Sequence, residues 1–578
     1  MANTLKKRGQ KFVKRFSRTS LKVSEESKEH LKENLLQRFS HIRNIRLLIF
    51  EWSLLVLALI MLSVTQAFWF GDSYADNTFV AGGSYIEATL GRVNSLNPLF
   101  ATTSSEKVLS RLMFATLVAN DYSGNPGVAL AQSIRSNEDG KVWTLKLRDG
   151  LKWSDGRPIT NEDIMFTLDL IQSPAVNSIY DSNLENVKIS ESENGEIIFT
   201  LPTAYADFAS ALEIPIVPKH ELDDAELKTL VEDSFSNAPV TSGAFSFNAT
   251  QTTTVSDEAI FYLSGNPYYY DGTPMLTSFG VHTYLDKSEI VSALRTGNVT
   301  ATAELASIET GQINSGSFEM TNASINVGAF AFFNTSTGTF RDTALRRAVK
   351  QGLDLAQLRA AAPETKPLDY PLLDSQIALS QYPTPIGYDQ AAAKSKIAEI
   401  SGNNRPAISI VTVNSGFLPA VATNLKSQLE NLGFDCNMTA YDETQDFVAN
   451  VLSRRAYDIL VYKIDLGADP DLLPYYHSSQ ASGGGLNLSN YRNVLVDDLL
   501  IGARATLDPT LRARKYESFL EHWVADVPAI GLYQANMLYI YNKNVRTFSP
   551  DVHLVTELDR FVDVVNWAAA RGTKNLTP

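Results

Sequence analysis

The chain has 578 residues, too many for a single hydrophobic core, so two or three domains are expected. Its 44% hydrophobic and 20% charged residues are ordinary for a globular protein. The single cysteine, Cys436, excludes an internal disulfide framework and a zinc site built on cysteines.

Charge is unevenly distributed along the chain. Residues 1–46 hold 13 Lys and Arg against 4 Glu, whereas the remainder holds 37 against 60 Asp and Glu. Between them lies Trp52–Phe70, an uncharged, mostly apolar run that approaches the roughly 20 residues needed to cross a bilayer. Residues 47–70 are therefore predicted to form one transmembrane helix.

This helix is interpreted as an uncleaved anchor. The apolar run is longer than the roughly 7–15 residues of a signal-peptide core, and it ends in aromatic residues that suit a membrane interface. Thr65 and Ala67 leave cleavage open as an alternative. The basic segment is expected to stay in the cytoplasm and the acidic bulk to lie outside, giving a single-pass cell-membrane protein. The position of this basic segment directly before the membrane helix favours contact with anionic lipid over contact with nucleic acid.

The elements after the spacer, residues 71–78, mix strands and helices. Ser105–Val118 has helical spacing, and Asn194-Gly195 between two apolar runs predicts a hairpin. Further along, the pattern predicts strands at Ile408–Val413 and Tyr457–Tyr462, with a helix at Ala422–Leu432 that ends at Gly433. This mixture indicates an α/β fold.

The stretch Val142–Ile171 carries the clearest pattern. Trp143, Leu145 and Leu147 alternate with polar residues as in a half-buried strand, and two Asp-Gly turns follow. Thr160 with Asp163 three residues later predicts a helix start. The stretch is therefore predicted to be a hairpin joined to a helix.

Residues 147–156, Leu-Arg-Asp-Gly-Leu-Lys-Trp-Ser-Asp-Gly, followed by Thr160-x-Glu162-Asp163, resemble a known signature. It is that of the family 5 extracellular solute-binding proteins, the peptide-binding receptors of ABC importers. Shorter phrases at Ile216–His220, Pro239–Phe247 and Ala293–Val299 follow in the family's order. The resemblance extends from about Phe79 to the end of the chain.

The resemblance implies a two-lobed periplasmic-binding-protein-like fold with an additional small domain. Lobe 1 is predicted from residues 79–121, 239–326 and 527–578, the added domain from 122–238, and lobe 2 from 327–526. Ligand is expected between the lobes.

The resemblance also indicates a candidate ligand site after the strand that ends near Tyr462. The family's equivalent loop carries an aspartate that pairs with the free amino terminus of a bound peptide, and an ion pair of this kind is stronger in a dry cleft than in water. Asp465 matches best. Asp469 is a rival, because the family commonly has this loop one residue shorter. A Ca²⁺ site and a plain surface turn are the alternatives.

Three more residues, Asn487, Tyr491 and Asn493, resemble a family loop that lines the cleft. For Tyr491, ordinary packing is an equal alternative. The partner of the peptide's carboxyl end stays open among Arg454, Arg455 and Lys463.

Catalytic and cofactor motifs are missing from the sequence. The seven histidines form no HxH or HExxH spacing, and there is no GxSxG elbow or GxxxxGK phosphate loop. No enzyme activity, cofactor or metal is therefore predicted, and the importer's ATPase has to be a separate chain.

The predicted function follows from these points. The chain is expected to be a membrane-anchored bacterial receptor that captures oligopeptides between two lobes and delivers them to an ABC permease. A binder of a metal chelate or a sugar oligomer on the same fold is one alternative, and a peptide hydrolase is another. A sensor is a further class, although residues 1–46 are too short for a known output domain.

Overall fold

The computed structural model describes residues 46–222, 230, 234–252, 258–313, 316–336, 338–402, 404–442, 445–481, 483–549 and 551–575. Apart from Arg46, the predicted basic segment of residues 1–46 lies outside them. Contacts divide the chain into a terminal unit, residues 1–78 with 571–578, and a large unit, residues 79–570.

The described helices alternate with strands along the whole chain. The α-helices are α1 Arg46–Tyr74, α2 Ser104–Met113, α3 Asn161–Gln172, α4 Phe208–Ala211, α5 Lys219–Leu222, α6 Lys287–Thr296, α7 Thr343–Gly352, α8 Leu355–Arg359, α9 Gln390–Ile400, α10 Leu418–Leu432, α11 Gln445–Phe447, α12 Leu473–Tyr476, α13 Val494–Ala505 and α14 Pro509–Asp526. A 3₁₀ segment covers Glu557–Asn566.

The described strands are β1 Ala75–Val80, β2 Ser84–Leu90, β3 Val118–Asn120, β4 Pro126–Val128, β5 Ala131–Ser136, β6 Val142–Leu147, β7 Lys188–Glu191, β8 Ile197–Thr200, β9 Phe245–Thr252, β10 Ala259–Gly265, β11 Ser278–Tyr284, β12 Ala301–Thr302, β13 Phe318–Phe333, β14 Lys366–Pro367, β15 Ala407–Val413, β16 Asp435–Tyr441, β17 Ile459–Asp465, β18 Ala529–Asn542 and β19 Ala570–Asn575.

The terminal unit contains α1, and β1 pairs with β19 in a two-stranded sheet. The side chains of α1 are described for residues 50–66, where every residue is exposed. Among the described residues, no helix reaches the length and apolar character of a membrane span.

One long sheet organises the large unit. Its strand order is β16-β15-β17-β13-β18-β12-β2-β11-β10-β9, with β14 added beside β18. The strands β13 and β18 are the longest, at 16 and 14 residues, and they pair antiparallel along most of their length. One half of β13 also pairs with β17, and one end of β18 also pairs with β12. The β13–β18 pair therefore joins two groups of strands in one sheet.

The pairing of β13 with β18 is interrupted between Ser324 and Gly328. On one side of the interruption β18 pairs with β12, and on the other side β13 pairs with β17. The interruption therefore lies between the two halves of the sheet. The residue boundaries predicted for the lobes stay predictions.

A separate four-stranded antiparallel sheet, in the order β5-β6-β8-β7, includes the predicted hairpin-helix unit. The strand β6 and the helix α3 occupy the predicted positions, and the side chain of Asp163 accepts the Thr160 N–H at 2.9 Å. The predicted hairpin at Asn194-Gly195 is confirmed by the antiparallel pair β7 and β8.

Two predicted elements have different ends in the structure. The helix predicted at Ser105–Val118 ends at Met113, because the Met113 carbonyl accepts the N–H groups of Ser242 and Gly243 and the chain becomes extended at Phe114. The strand predicted at Tyr457–Tyr462 continues as β17 to Asp465, where it pairs with Val327 of β13. Asp465 is therefore the last residue of a strand, and the loop begins after it.

The helix α10 confirms its predicted end. Gly433 follows it with a φ of 108°, a left-handed conformation that glycine adopts without strain, and its N–H bonds back to the helix. This turn sends the chain into β16 beside β15.

Candidate ligand-binding site

Asp465 is the last residue of β17, and its side chain is exposed. Its Oδ1 accepts the Gly467 N–H at 2.8 Å, and the Tyr475 hydroxyl donates to its main-chain carbonyl. No described residue forms an ion pair with it. The side chain is exposed to solvent, yet enough protein surrounds it that desolvation raises the pKa of Asp465. The negative charge of Asp559 raises this pKa further, and the positive charge of Lys107 lowers it.

The other carboxylates of this loop are paired. Asp469 makes a two-pronged ion pair with Arg512 of α14, and Asp471 makes one with Arg504 of α13, whose Nε lies 3.1 Å from Oδ1. Such paired geometry holds both groups firmly. Asp465 is thus the carboxylate of the three that has room for an outside cation.

A second set of charged side chains includes Asp559, whose charge acts on Asp465. Arg111 on α2 donates to Oε1 of Glu213 at 3.1 Å, and its other terminal nitrogen lies 3.9 Å from Asp559. Asp559 is 2% exposed and also accepts the Thr556 N–H at 2.7 Å, which caps the 3₁₀ segment. Asp559 is therefore held by the fold, whereas Glu213 keeps 36% of its side-chain surface open.

Burial is the main cause that raises the pKa of Glu213 to about 7. Arg111 lowers it, while the charges of Asp559 and Asp465 raise it. Since the charge of Asp465 acts on Glu213, the end of β17 lies near the loop after α4.

A cavity of about 170 Å³ lies beside Glu213 and Arg111. Its wall includes apolar and aromatic side chains together with charged ones, and the lining residues are Ala101, Lys107, Ser110, Arg111, Phe114, Thr116, Tyr180, Glu213, Pro215, Thr556 and Leu558. A second cavity, of about 250 Å³, lies beside β18 and is lined by Lys287 of α6 and Lys463 of β17, among others. Lys463 and Asp465 are two residues apart on one strand, so both project from the same face.

The three other predicted site residues make bonds inside the protein. The Asn487 amide donates to the carbonyls of His477 and Tyr491, and the Tyr491 hydroxyl donates to Asp526 at 2.5 Å. Asn493 accepts the Leu495 N–H and so caps α13. The polar groups of these residues are therefore used in hydrogen bonds within the protein. Ligand binding by these residues stays a prediction, and their internal hydrogen bonds do not favour it.

The three candidate partners for a peptide carboxylate differ in their surroundings. Arg455 is buried and donates to the carbonyls of Leu452, Gly485 and Asn487. Arg454 is exposed. Lys463 alone of the three lines a cavity beside the cleft, and it donates to Ser415 at 3.5 Å.

Sequence reasoning missed Lys107, Arg111, Glu213 and Asp559. One signal was available for Glu213: it is the single charge in the run Ala211–Val217, between Leu212 and Ile214, which are both fully buried. A carboxylate in such a run has to point away from the core or be paired there. Nothing local connects it with Asp465, which lies far along the chain.

Outside the cleft, Asp155, His220 and Glu221 each bring one possible metal-ligand atom within 4.8 Å of the others. The Asp155 carboxylate already lies 3.1 Å from His220 Nε2 and 3.5 Å from Arg157 Nε. The group is therefore an internal network at the surface, and no metal is assigned to it.

A model of the bacterial extracellular solute-binding proteins, family 5 middle, matches residues 125–486. The oligopeptide-binding protein AppA of Bacillus subtilis is 23% identical over 479 residues, covering 79% of this chain and 87% of AppA. The probable D,D-dipeptide-binding periplasmic protein DdpA of Escherichia coli is 22% identical over 486 residues, covering 78% and 89%.

Solved structures are similar over the same extent. AppA in complex with a nonapeptide has a TM-score of 0.69 at 20% identity and covers 85% of this chain and 100% of that one. NikZ of Campylobacter jejuni, in complex with Ni(L-His), has a TM-score of 0.70 at 21% identity and covers 84% and 99%. These similarities confirm the two-lobed periplasmic binding protein fold.

The family match and the relatives also agree with the prediction of a substrate-binding protein rather than an enzyme. The match begins shortly before β4 and continues beyond the loop that carries Asp465, so it includes the hairpin-helix unit, Glu213 and Asp465. The chain belongs to the family 5 bacterial extracellular solute-binding proteins.

Proposed function

We propose that this protein captures oligopeptides in the cleft at Asp465 and delivers them to an ABC permease driven by a separate ATPase. The observation that carries the proposal is the state of Asp465. Its carboxylate opens into the cleft with one bond from Gly467 and no ion pair among the described residues, while Asp469 and Asp471 beside it are paired.

The chemistry of a peptide's amino end suits this carboxylate. A free amino terminus is a cation with several N–H donors, and Asp465 has acceptor positions left over. A cation bound there relieves the cost of burying the charge, which is the cost that raises the pKa of Asp465. Lys463, which lines the cavity beside β18, is the proposed partner of the carboxyl end.

Replacing Asp465 with asparagine tests the amino-end contact. The change keeps the side-chain shape and removes the charge, so peptides with a free amino end are expected to bind about 10- to 100-fold more weakly. The N-acetylated forms of the same peptides are expected to change little. Isothermal titration calorimetry on the full chain measures both. Equal losses for the two forms would reject the contact.

The matched control is Asp498→Asn, at an exposed carboxylate on α13. It removes the same charge from the same part of the chain, and both peptide forms are expected to bind as in the unaltered protein. A loss there similar to that of Asp465→Asn would mean that net charge, and not the Asp465 contact, governs affinity.

Ligand class is tested by mass spectrometry of molecules that co-purify with the full chain from its native host. A mixture of short peptides supports the proposal. A single metal chelate would favour a binder of the kind that the NikZ complex represents, and a sugar oligomer would favour another solute. Progressive cleavage of added peptides would contradict a binding role.

The proposed location is the outer face of the cell membrane, with α1 as the anchor and the amino terminus in the cytoplasm. Large apolar side chains of α1 are exposed from Phe50 to Val64, and the apolar sequence continues to Phe70, past the residues whose side chains are described. A helix needs roughly 20 such residues to span the hydrocarbon core.

Alkaline extraction of membranes tests this anchor. The full chain is expected to stay with the membranes, and the double variant Leu57→Arg, Ile60→Arg is expected to be released, because each charge at the centre of a span costs about 3 kcal/mol. The matched double alanine variant should stay. Release of the unaltered chain would contradict anchoring by α1.

A further inference from the structure

The cavity of about 170 Å³ lined by Glu213, called here the Glu213 pocket, has walls of two kinds. Phe114, Tyr180 and Leu558 supply apolar and aromatic surface. Glu213 and Arg111 supply an ion pair with 3.1 Å between Oε1 and the guanidinium. Cavities that enclose a whole small ligand measure about 300–1,000 Å³, so this one has the size for a single side chain.

The open part of Glu213 points into this pocket. Only its Oε1 has a bond to a described residue, the one from Arg111, and 36% of its side-chain surface stays open. A carboxylate has about four acceptor positions, so most of the hydrogen-bonding capacity of Glu213 is unused.

Lys107 also lines the pocket, and the two charged groups favour opposite ligands. Lys107 is exposed, and an ion pair with an exposed lysine contributes only about 0–1 kcal/mol. Glu213 is half-buried, so a charge pair with it is screened less by solvent than one with Lys107. The charge of Arg111 is already offset, because its guanidinium pairs with Glu213 and also lies 3.9 Å from Asp559. Both effects favour a positive ligand group.

We propose that the Glu213 pocket receives the first side chain of a bound peptide and selects a basic one, lysine or arginine. The inference rests on the proposed function, since the amino end at Asp465 places the first side chain next to the pocket. The methylenes of the side chain pack on Phe114, Tyr180 and Leu558, and its charged end donates to Glu213. The preferred ligand class is therefore peptides with a basic amino-terminal residue.

The titration of Glu213 agrees with this assignment. Burial raises its pKa to about 7, with Asp465 and Asp559 adding to the effect. A cation bound beside the carboxylate stabilises its charged form and so lowers the pKa of Glu213 again. Glu213 therefore becomes charged when a basic side chain enters.

Three tripeptides with free amino ends test the pocket by calorimetry on the full chain: lysyl-, norleucyl- and glutamyl-alanyl-alanine. Norleucine matches the lysine methylenes without the charge. The lysyl peptide is expected to bind about tenfold more tightly than the norleucyl one, a typical effect of one charge-assisted hydrogen bond. In Glu213→Gln the ratio of the two affinities is expected to fall towards one, and in Glu213→Asp to an intermediate value.

The control is Glu196→Gln, which removes a half-buried carboxylate paired with Arg135 in the four-stranded sheet and should keep the tenfold ratio. Equal or tighter binding of the norleucyl peptide to the unaltered protein would overturn the assignment, as would a ratio that survives Glu213→Gln. Preference for the glutamyl peptide would overturn it in favour of Lys107.

These outcomes separate the two proposals. If all three peptides bind equally and Asp465→Asn weakens all of them, the proposed function stands and the basic pocket is wrong. If none of the three binds, both are wrong. Thermal unfolding of each variant without ligand shows whether it is folded, and Glu213→Asp keeps the test open if Glu213→Gln is not.

Discussion

The hairpin-helix unit at residues 142–172 and the loop at 465–471 each depend on an aspartate, and the two aspartates differ. The carboxylate of Asp163 accepts the N–H groups of Thr160 and Lys219 and lies 3.4 Å from the Trp153 indole nitrogen. That of Asp465 accepts a single one, from Gly467. A carboxylate whose acceptors the fold fills stabilises structure, whereas one with free acceptors in a cleft is available to a ligand.

Glu87 is another carboxylate whose acceptors the fold fills. It forms a buried ion pair with Arg560, and the two residues are 0% and 2% exposed. Arg560 donates twice to Glu87 Oε1, and the Tyr539 hydroxyl donates to Oε2 at 2.8 Å. Arg560→Leu leaves the buried carboxylate without its cation, so the free energy of unfolding is expected to fall by about 3–5 kcal/mol. Urea unfolding of the full chain without ligand measures it.

The control for that prediction is Arg135→Leu, which breaks the exposed pair with Glu196. Its loss should be about 0–1 kcal/mol, as for surface ion pairs generally. Similar losses for the two variants would mean that burial does not distinguish these carboxylates.

Asp163→Ala has the next largest expected effect, because it removes the cap of α3 and leaves buried donors unpaired. We expect the free energy of unfolding to fall by about 2–4 kcal/mol. Asp169→Ala, at an exposed position of the same helix, should change it by less than about 0.5 kcal/mol. Peptide affinity measured under folding conditions should stay the same in both. A strong loss of affinity in Asp163→Ala would show that the unit contributes to the site.

For Asp465→Asn, stability is expected to change in the opposite sense from Asp163→Ala. Burial raises the pKa of Asp465, which means that the folded protein disfavours its charge, and asparagine removes that charge. The unfolding midpoint in urea without ligand should stay the same or rise, while affinity for free-amino peptides falls. A lower midpoint would place Asp465 with the structural carboxylates.

The smallest expected effect is on pH dependence. The folded pKa of Glu213, about 7, exceeds its unfolded value of 4.5, so the folded protein binds more protons in this range. The Glu213 contribution to the stability of the ligand-free protein should therefore fall as pH rises from about 4.5 to about 7, and level off above. Thermal unfolding across this range should show a flatter profile in Glu213→Gln than in the unaltered protein.

The sequence predicted the parts of the fold that have local causes. The alternation in β6, the capping pair Thr160 and Asp163, and Gly433 after α10 act over a few residues and were found where expected. The end of α2 was missed, because it depends on the amides of Ser242 and Gly243, which come from far along the chain.

The candidate site was predictable only in part for the same reason. The position of Asp465 came from the family pattern around its loop, yet that pattern did not choose between Asp465 and Asp469. The two differ in the structure because Arg512 pairs with Asp469 from 43 residues away in the sequence. The roles of Arg111 and Glu213 depend on a contact between α2 and the loop after α4, which no local spacing encodes.

The position of β18 has a consequence for how the protein is made. This strand comes close to the end of the chain, at Ala529–Asn542, yet it lies between β13 and β12 in the long sheet. Until it emerges during synthesis, β13 and β12 each present an unpaired edge, and such edges are prone to wrong pairing. A nascent or truncated chain that ends before β18 therefore lacks the strand that joins the two halves of the sheet, and both halves keep an open edge.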